Sequence, residues 1–149
     1  LAERDEVAIA YGTGEITGEF VRETVCLTGS DDARQCVRMR VIAATEMTPE
    51  PFGALAFDGV LGLGLAGLAL DPEFSFLGQL SGAGGLARDQ FGYFLSRSDE
   101  VASEISFGGH DARRVASELQ WSPVHRPELG FWQVKVLSVT VAGEALPLC

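Results

Sequence analysis

Phe57-Asp58-Gly59-Val60-Leu61-Gly62-Leu63-Gly64 is a tight polar turn that runs straight into an apolar segment punctuated by glycine. Asp58-Gly59 supplies the turn, because Asp tolerates and Gly favours the positive-φ conformations of a sharp reversal. Val60 and Leu61 then read as a short buried strand. Gly62 and Gly64 remove side chains where another piece of backbone is expected to pass close by. Taken alone, the stretch also fits an ordinary core strand with a glycine bulge, so its neighbours must decide.

Those neighbours are mostly short strands. Val7, Ile9 and Tyr11 alternate with smaller or polar residues, Gly12-Thr13-Gly14 turns, and Ile16, Gly18 and Phe20 alternate with Glu15, Thr17 and Glu19 on the way back. This predicts a β-hairpin with a glycine-flanked tip. Val25 and Leu27 continue its return strand. Val37, Met39 and Val41 alternate with Arg38 and Arg40 as a half-exposed strand, broken by Thr48-Pro49-Glu50-Pro51. Asp71-Pro72-Glu73 caps a helix with a Phe74, Leu77, Leu80 stripe, ended by Ser81-Gly82-Ala83-Gly84-Gly85. Residues 91–95 and 104–109 read as strands joined by a charged loop. Trp132, Val134 and Val136 share one face before the alternation slips to Leu137, Val139 and Val141, which predicts a bulge. The fold class is mainly β.

Composition bounds the function. With 149 residues, 46% of them hydrophobic, the chain is one domain's worth, and folding alone it should bury roughly 68–70% of its unfolded surface. A net charge of -10 repels nucleic acid and anionic membranes. Lys135 is the single lysine, and the absence of asparagine excludes N-glycosylation within these residues. No run reaches membrane-spanning length, and the first residues lack the apolar core of a signal peptide. Cys26 and Cys36 flank a Gly29-Ser30-Asp31-Asp32 turn, a placement that fits a hairpin disulfide or two reduced buried thiols. Cys149 is left over.

Several chemistries fail on spacing. Gly62-Leu63-Gly64-Leu65-Ala66-Gly67 matches a dinucleotide-binding pattern, but Asp58-Gly59 interrupts the strand that must precede it and Pro72 soon follows. His110 and His125 have no Cys or carboxylate at ligand spacing, so no metal site is expected. Nor does any Gly-x-Ser-x-Gly elbow or local Cys/His pair mark a nucleophile. No cofactor is expected. Glu15, Glu19, Glu23, Asp31, Asp32 and Asp58 read as part of a solvated acidic surface.

Ala10-Tyr11-Gly12-Thr13-Gly14-Glu15-Ile16-Thr17-Gly18 resembles the flap hairpin of the pepsin-like aspartic protease family, and Phe57-Asp58-Gly59-Val60-Leu61-Gly62-Leu63 resembles that family's Phe-Asp-Gly-Ile-Leu-Gly-Leu block. Phe107-Gly108-Gly109-His110-Asp111, Leu119-Gln120-Trp121-Ser122-Pro123-Val124 and Phe131-Trp132-Gln133-Val134 resemble the strands leading from its first lobe into its second. The blocks stand in family order across almost the whole chain.

The resemblance implies a bilobal, mainly β acid protease fold. Residues from about 1 to 90 would give the flap half of the first lobe, and those from about 91 to 149 the inter-lobe strands and the start of the second. It implies Tyr11, Gly12 and Thr13 at the flap tip. Phe57 and Val60 would line the pocket for the residue before the scissile bond, with Phe131 on the far side of the cleft; for these three, plain core packing is the alternative. Asp58 and Gly59 would form a structural turn, and Gly62 would let the segment thread through the loop of a catalytic aspartate. The family's chemistry uses two Asp-Thr/Ser-Gly motifs, and this sequence contains neither. Its residues would lie between the two, with Cys149 matching a cysteine that closes a small loop ahead of the second. Two functions follow: the inter-aspartate segment of an aspartic endopeptidase, or a non-catalytic scaffold or binding subunit. The implied partners are a peptide or protein substrate and further polypeptide completing both lobes. The implied location is the secretory pathway, vacuole or lysosome, or exterior, with an organelle lumen as alternative.

Overall fold

Three antiparallel strands form the largest sheet: β1 (Glu6–Tyr11), β2 (Gly14–Cys26) and β3 (Cys36–Met47), in the order β1-β2-β3. The computed structural model describes residues 5–27 and 36–148. The Gly29-Ser30-Asp31-Asp32 turn and Cys149 lie outside them. β1 and β2 pair from Tyr11↔Gly14 back to Glu6↔Glu19, so Gly12-Thr13 is a two-residue loop, and Gly12 takes the left-handed φ of 55° that such a loop requires. Cys26 pairs with Cys36 at the far end of the β2–β3 ladder. Their Cα atoms are 4.0 Å apart and the sulfurs are joined.

The β2–β3 register slips between Thr17 and Gly18: Gly18 faces Ala44, yet Thr17 faces Glu46. The extra residue, Thr45, donates its hydroxyl to the Thr17 carbonyl at 3.2 Å. A bulge re-aims every residue beyond it, and here it sets Met47, not Glu46, opposite Ile16.

α1 (Pro49–Phe52) is a single irregular turn, and α2 (Phe76–Gly82) is the main helix. The helix start differs from the sequence reading. Asp71 does cap, accepting from the Glu73 amide at 2.9 Å, but it opens only a 3-10 turn over Pro72–Phe74. Ser75 is extended and caps α2 afresh by accepting from the Gly78 amide. That break rotates the buried stripe from Phe74, Leu77 and Leu80 to Phe76 and Leu80, one turn apart and fully buried. They pack with Val37 and Met39 of β3, and Val25, Leu27, Val41, Leu63, Leu86 and Phe107 close around them.

The two expected strands, β4 (Phe91–Phe94) and β5 (Glu104–Phe107), pair antiparallel as a hairpin, and β6 (Val139–Val141) and β7 (Glu144–Leu146) form a second. Aromatic rings tie the first of these to the core: Phe107 stands edge-on to Phe76 at 6.0 Å, Phe91 lies 6.4 Å from Phe107, and Trp132 meets Phe91 at 5.4 Å.

Three expectations are corrected. Val60 and Leu61 are neither paired nor buried, and Val60 is 67% exposed. Residues 132–138 form no strand, so no bulge occurs at Val136–Leu137. The chain bends at Asp58 without Gly59 entering the left-handed region. One physical cause serves the first two: an apolar run becomes a strand only where a neighbouring ladder accepts its backbone, and no other described strand lies alongside either run. The surface shows the same shortfall. The chain exposes 11629 Å², against about 7,400 Å² for a compact monomer of this mass and about 23,000 Å² unfolded, so it buries roughly half its surface rather than the expected share.

Candidate substrate-binding site

The tip of the β1–β2 hairpin rests on the turn that follows β3. Thr48 holds Glu15 at two points: its amide donates to the Glu15 carbonyl at 3.0 Å, and its Oγ1 accepts from the Glu15 amide at 3.1 Å. The same hydroxyl donates to the Glu50 carbonyl at 2.6 Å. Gly14 is buried beneath this turn, where a Cβ would lie 2.5 Å from Pro51 Cδ and 2.8 Å from Phe52 Cε2. Tyr11 stands edge-on to Phe52, with ring centroids 5.9 Å apart. Tyr11, Gly12 and Thr13 themselves are exposed, so the tip projects while its root is clamped.

Two adjoining concavities lie on the Tyr11 side of the hairpin. The first, of about 310 Å³, is lined by Tyr11, Met47, Phe52, Phe57, Val60 and the Asp58-Gly59 bend. The second, of about 390 Å³, runs past Ile9, Arg40, Gly62 and Leu68. Tyr11, Ile16, Ile42 and Val60 border both. The walls are apolar and open to solvent: Tyr11 is 40% exposed and Phe57 46%. None of Phe57, Val60 and Phe131 is buried among the described residues, and Phe131, 53% exposed, borders neither concavity. Gly12 and Thr13 border neither either.

Of the two glycines expected to admit a passing backbone, Gly64 does so, with the Gly130 carbonyl oxygen 3.5 Å from where its Cβ would stand, and Gly62 does not. Apart from Gly62 and its two chain neighbours, no described residue comes within 4 Å of where a Cβ on Gly62 would stand. Gly64, Gly67 and Gly130 are the crowded positions where this stretch meets residues 128–130. The Leu65 amide donates to the Gly130 carbonyl at 2.8 Å, a Cβ on Gly67 would run into the Glu128 carbonyl, and one on Gly130 would lie 2.5 Å from the Leu68 amide nitrogen. Trp132 adds a hydrogen bond from Nε1 to the Leu63 carbonyl at 2.7 Å. Phe131 is thus anchored beside the stretch that begins at Phe57.

Charges near these elements are paired for structure. Glu73 accepts both 2.7 and 2.8 Å bonds from Arg22 Nη2, with Arg40 at 3.6 Å, fastening the outer face of the sheet to the 3-10 turn. Each such exposed pair contributes at most about 1 kcal/mol. Asp111 accepts from the Arg113 guanidinium at 2.8–3.1 Å and from its backbone amide at 2.9 Å. Those bonds, the side-chain ones foremost, hold its carboxyl at about 2, below the usual 3.8. Among the described residues no cluster of His, Cys, Asp or Glu could hold a metal ion, and no helix is long and apolar enough to cross a membrane.

Ile16, Ile42, Met47 and Phe52 line the site without having been singled out in the sequence. Strand alternation marks Ile16 as sharing a face with Tyr11. Met47 depends on the Thr45 bulge, and Phe52 on a turn between prolines that has no periodicity to read.

A family model for eukaryotic aspartyl protease matches residues 2–149. Pepsin A of Canis lupus familiaris is 34% identical over 141 residues, 94% of this chain and 35% of that protein. Pepsin-3 of Oryctolagus cuniculus is 31% identical and Pepsin A of Sus scrofa 32%, each over 146 residues, 97% of this chain and 36% of theirs. The chain thus spans roughly a third of the length of the curated relatives it matches.

Proposed function

The chain belongs to the eukaryotic aspartyl protease family, and from that premise we propose that it is the flap-bearing segment between the catalytic aspartates of an acid-acting endopeptidase. The observation that carries this reading is the meeting of Tyr11, Phe57 and Val60 around one apolar concavity under a projecting hairpin tip. An extended peptide laid along the concavity would seat apolar side chains against Phe57 and Val60. Tyr11, Gly12 and Thr13 would close over its backbone and exclude water. Phe131 would face the peptide from the second lobe.

The nucleophile comes from outside these residues. Two aspartates of the full polypeptide share one proton, because adjacent like charges cannot both ionise, and together they activate a water for attack on the peptide carbonyl. Asp58 does not substitute for either, since it stands alone at a bend. Gly62, open on this chain, would lie against the loop of the first aspartate. The exposed faces of Leu95, Trp121, Val134 and Leu137 would be covered by strands of the same polypeptide or of another chain, the lobes dividing near residue 90. A secreted or vacuolar setting agrees with the Cys26–Cys36 disulfide.

The test is cleavage of an apolar peptide by the full-length protein between acid and neutral pH, alongside these 149 residues alone. Acid-dependent cleavage that a transition-state mimic of aspartic proteases blocks is expected from the first and none from the second. An inactive full-length protein that still binds peptides would instead favour a binding scaffold.

A further inference from the structure

We infer that Thr48 is a positioning residue of the flap: its hydroxyl fixes the height of the hairpin tip over the concavity and so sets how well the tip engages a bound peptide. The inference rests on the protease reading above.

Glu15 is the second residue of β2 after the turn, next to the tip, and β3 ends at Met47. At the place where the neighbouring strand runs out, Thr48 stands in for it. Its amide supplies the donor for the Glu15 carbonyl, and its Oγ1 supplies the acceptor that a strand carbonyl would have given to the Glu15 amide. The hydroxyl hydrogen then goes to the Glu50 carbonyl at 2.6 Å. One oxygen therefore joins the flap strand to the turn carrying Pro51 and Phe52, the two side chains on which Gly14 rests. Phe52 in turn carries the Tyr11 ring. The path from hydroxyl to Tyr11 is short and made of direct contacts. Valine at this position keeps the shape and the backbone bond but can neither accept from Glu15 nor donate to Glu50; serine can do both.

The experiment compares Thr48→Val, Thr48→Ser and Thr48→Ala in the full-length protein, reading kcat and KM on a peptide substrate, affinity for a transition-state mimic, and melting temperature. Leu80→Ala, at a fully buried core site that borders neither concavity, serves as a stability control. Losing the hydroxyl's bonds should lower kcat/KM and mimic affinity by about tenfold in Thr48→Val. Thr48→Ser should stay within about twofold of the parent, and Leu80→Ala should melt earlier at unchanged kcat/KM. Thr48→Ala is read like the valine variant, so the test survives if one of them does not fold. Full activity in folded Thr48→Val or Thr48→Ala overturns the inference and leaves the protease reading intact. A loss of kcat/KM in Leu80→Ala equal to that in Thr48→Val overturns it too, because general destabilisation would then explain both. An inactive parent overturns the reading and the inference with it.

Discussion

Replacing Gly130 by alanine should cost the folded protein far more than replacing Gly143, although both glycines are left-handed, at φ +83 and +87. An L-residue in that region costs about 1–2 kcal/mol wherever it stands. At Gly143 nothing lies within 4 Å of the added methyl, so backbone strain is the whole effect. At Gly130 the methyl would lie 2.5 Å from Leu68 N, 2.7 Å from Leu68 Cγ and 2.8 Å from the Gly67 carbonyl carbon. Two of those atoms are backbone and cannot rotate aside, so overpacking of about 1–3 kcal/mol is added. The expected losses are about 2–5 kcal/mol for Gly130→Ala and about 1–2 kcal/mol for Gly143→Ala. Denaturant unfolding of the full-length protein measures both. Because relief of the clash pushes apart the segments joined by Leu65–Gly130 and Trp132–Leu63, Trp132 emission should also shift to the red in Gly130→Ala alone. Equal stability losses and an unmoved emission would refute the claim that residues 64–68 and 128–132 are in contact.

Other outcomes follow from the same contacts. Replacing Cys26 and Cys36 together by alanine should cost about 2–3 kcal/mol through the entropy of opening a short loop, read as a lower denaturation midpoint that reducing agent reproduces in the parent and not in the variant. Asp111→Asn should destabilise the protein relative to the parent at pH 5. Because the carboxyl titrates at about 2 in the fold and near 3.8 without its partner, the parent's advantage is complete above about pH 4 and fades as pH falls through about 2, where melting temperatures should converge. Leu80→Ala, at a fully buried site shared by helix and sheet, should cost about 2–5 kcal/mol in the same unfolding assay.

What the sequence disclosed was local. The β1–β2 hairpin, the β4–β5 strands and the disulfide each arise from residues close in the chain, where alternation and turn chemistry act directly. The failures need information from a distance. Asp71-Pro72-Glu73 has every sign of a helix start, but the backbone settles a second time at Ser75, since only that places Phe76 and Leu80 on Val37 and Met39 of β3. Val60-Leu61 and Trp132–Leu137 have the composition of strands and lack a partner among the described residues. Composition sets what a segment can do, and the ladder beside it decides whether it does.

The site shows the same division on a finer scale. Tyr11, Phe57 and Val60 were reachable through the resemblance of two short blocks, but of the features that bring them together only Gly14 lies in either block. Those features are the Thr45 bulge, the Thr48 hydroxyl and the buried Gly14, none of which carries a periodic signal. Without the bulge Ile16 would face Glu46, and a carboxylate instead of a thioether would border the concavity. An apolar group seated there would then meet a charge that has to be desolvated or neutralised. One inserted residue in β3 thus bears on the character of the concavity as directly as the aromatic residues that line it, although it borders the concavity nowhere.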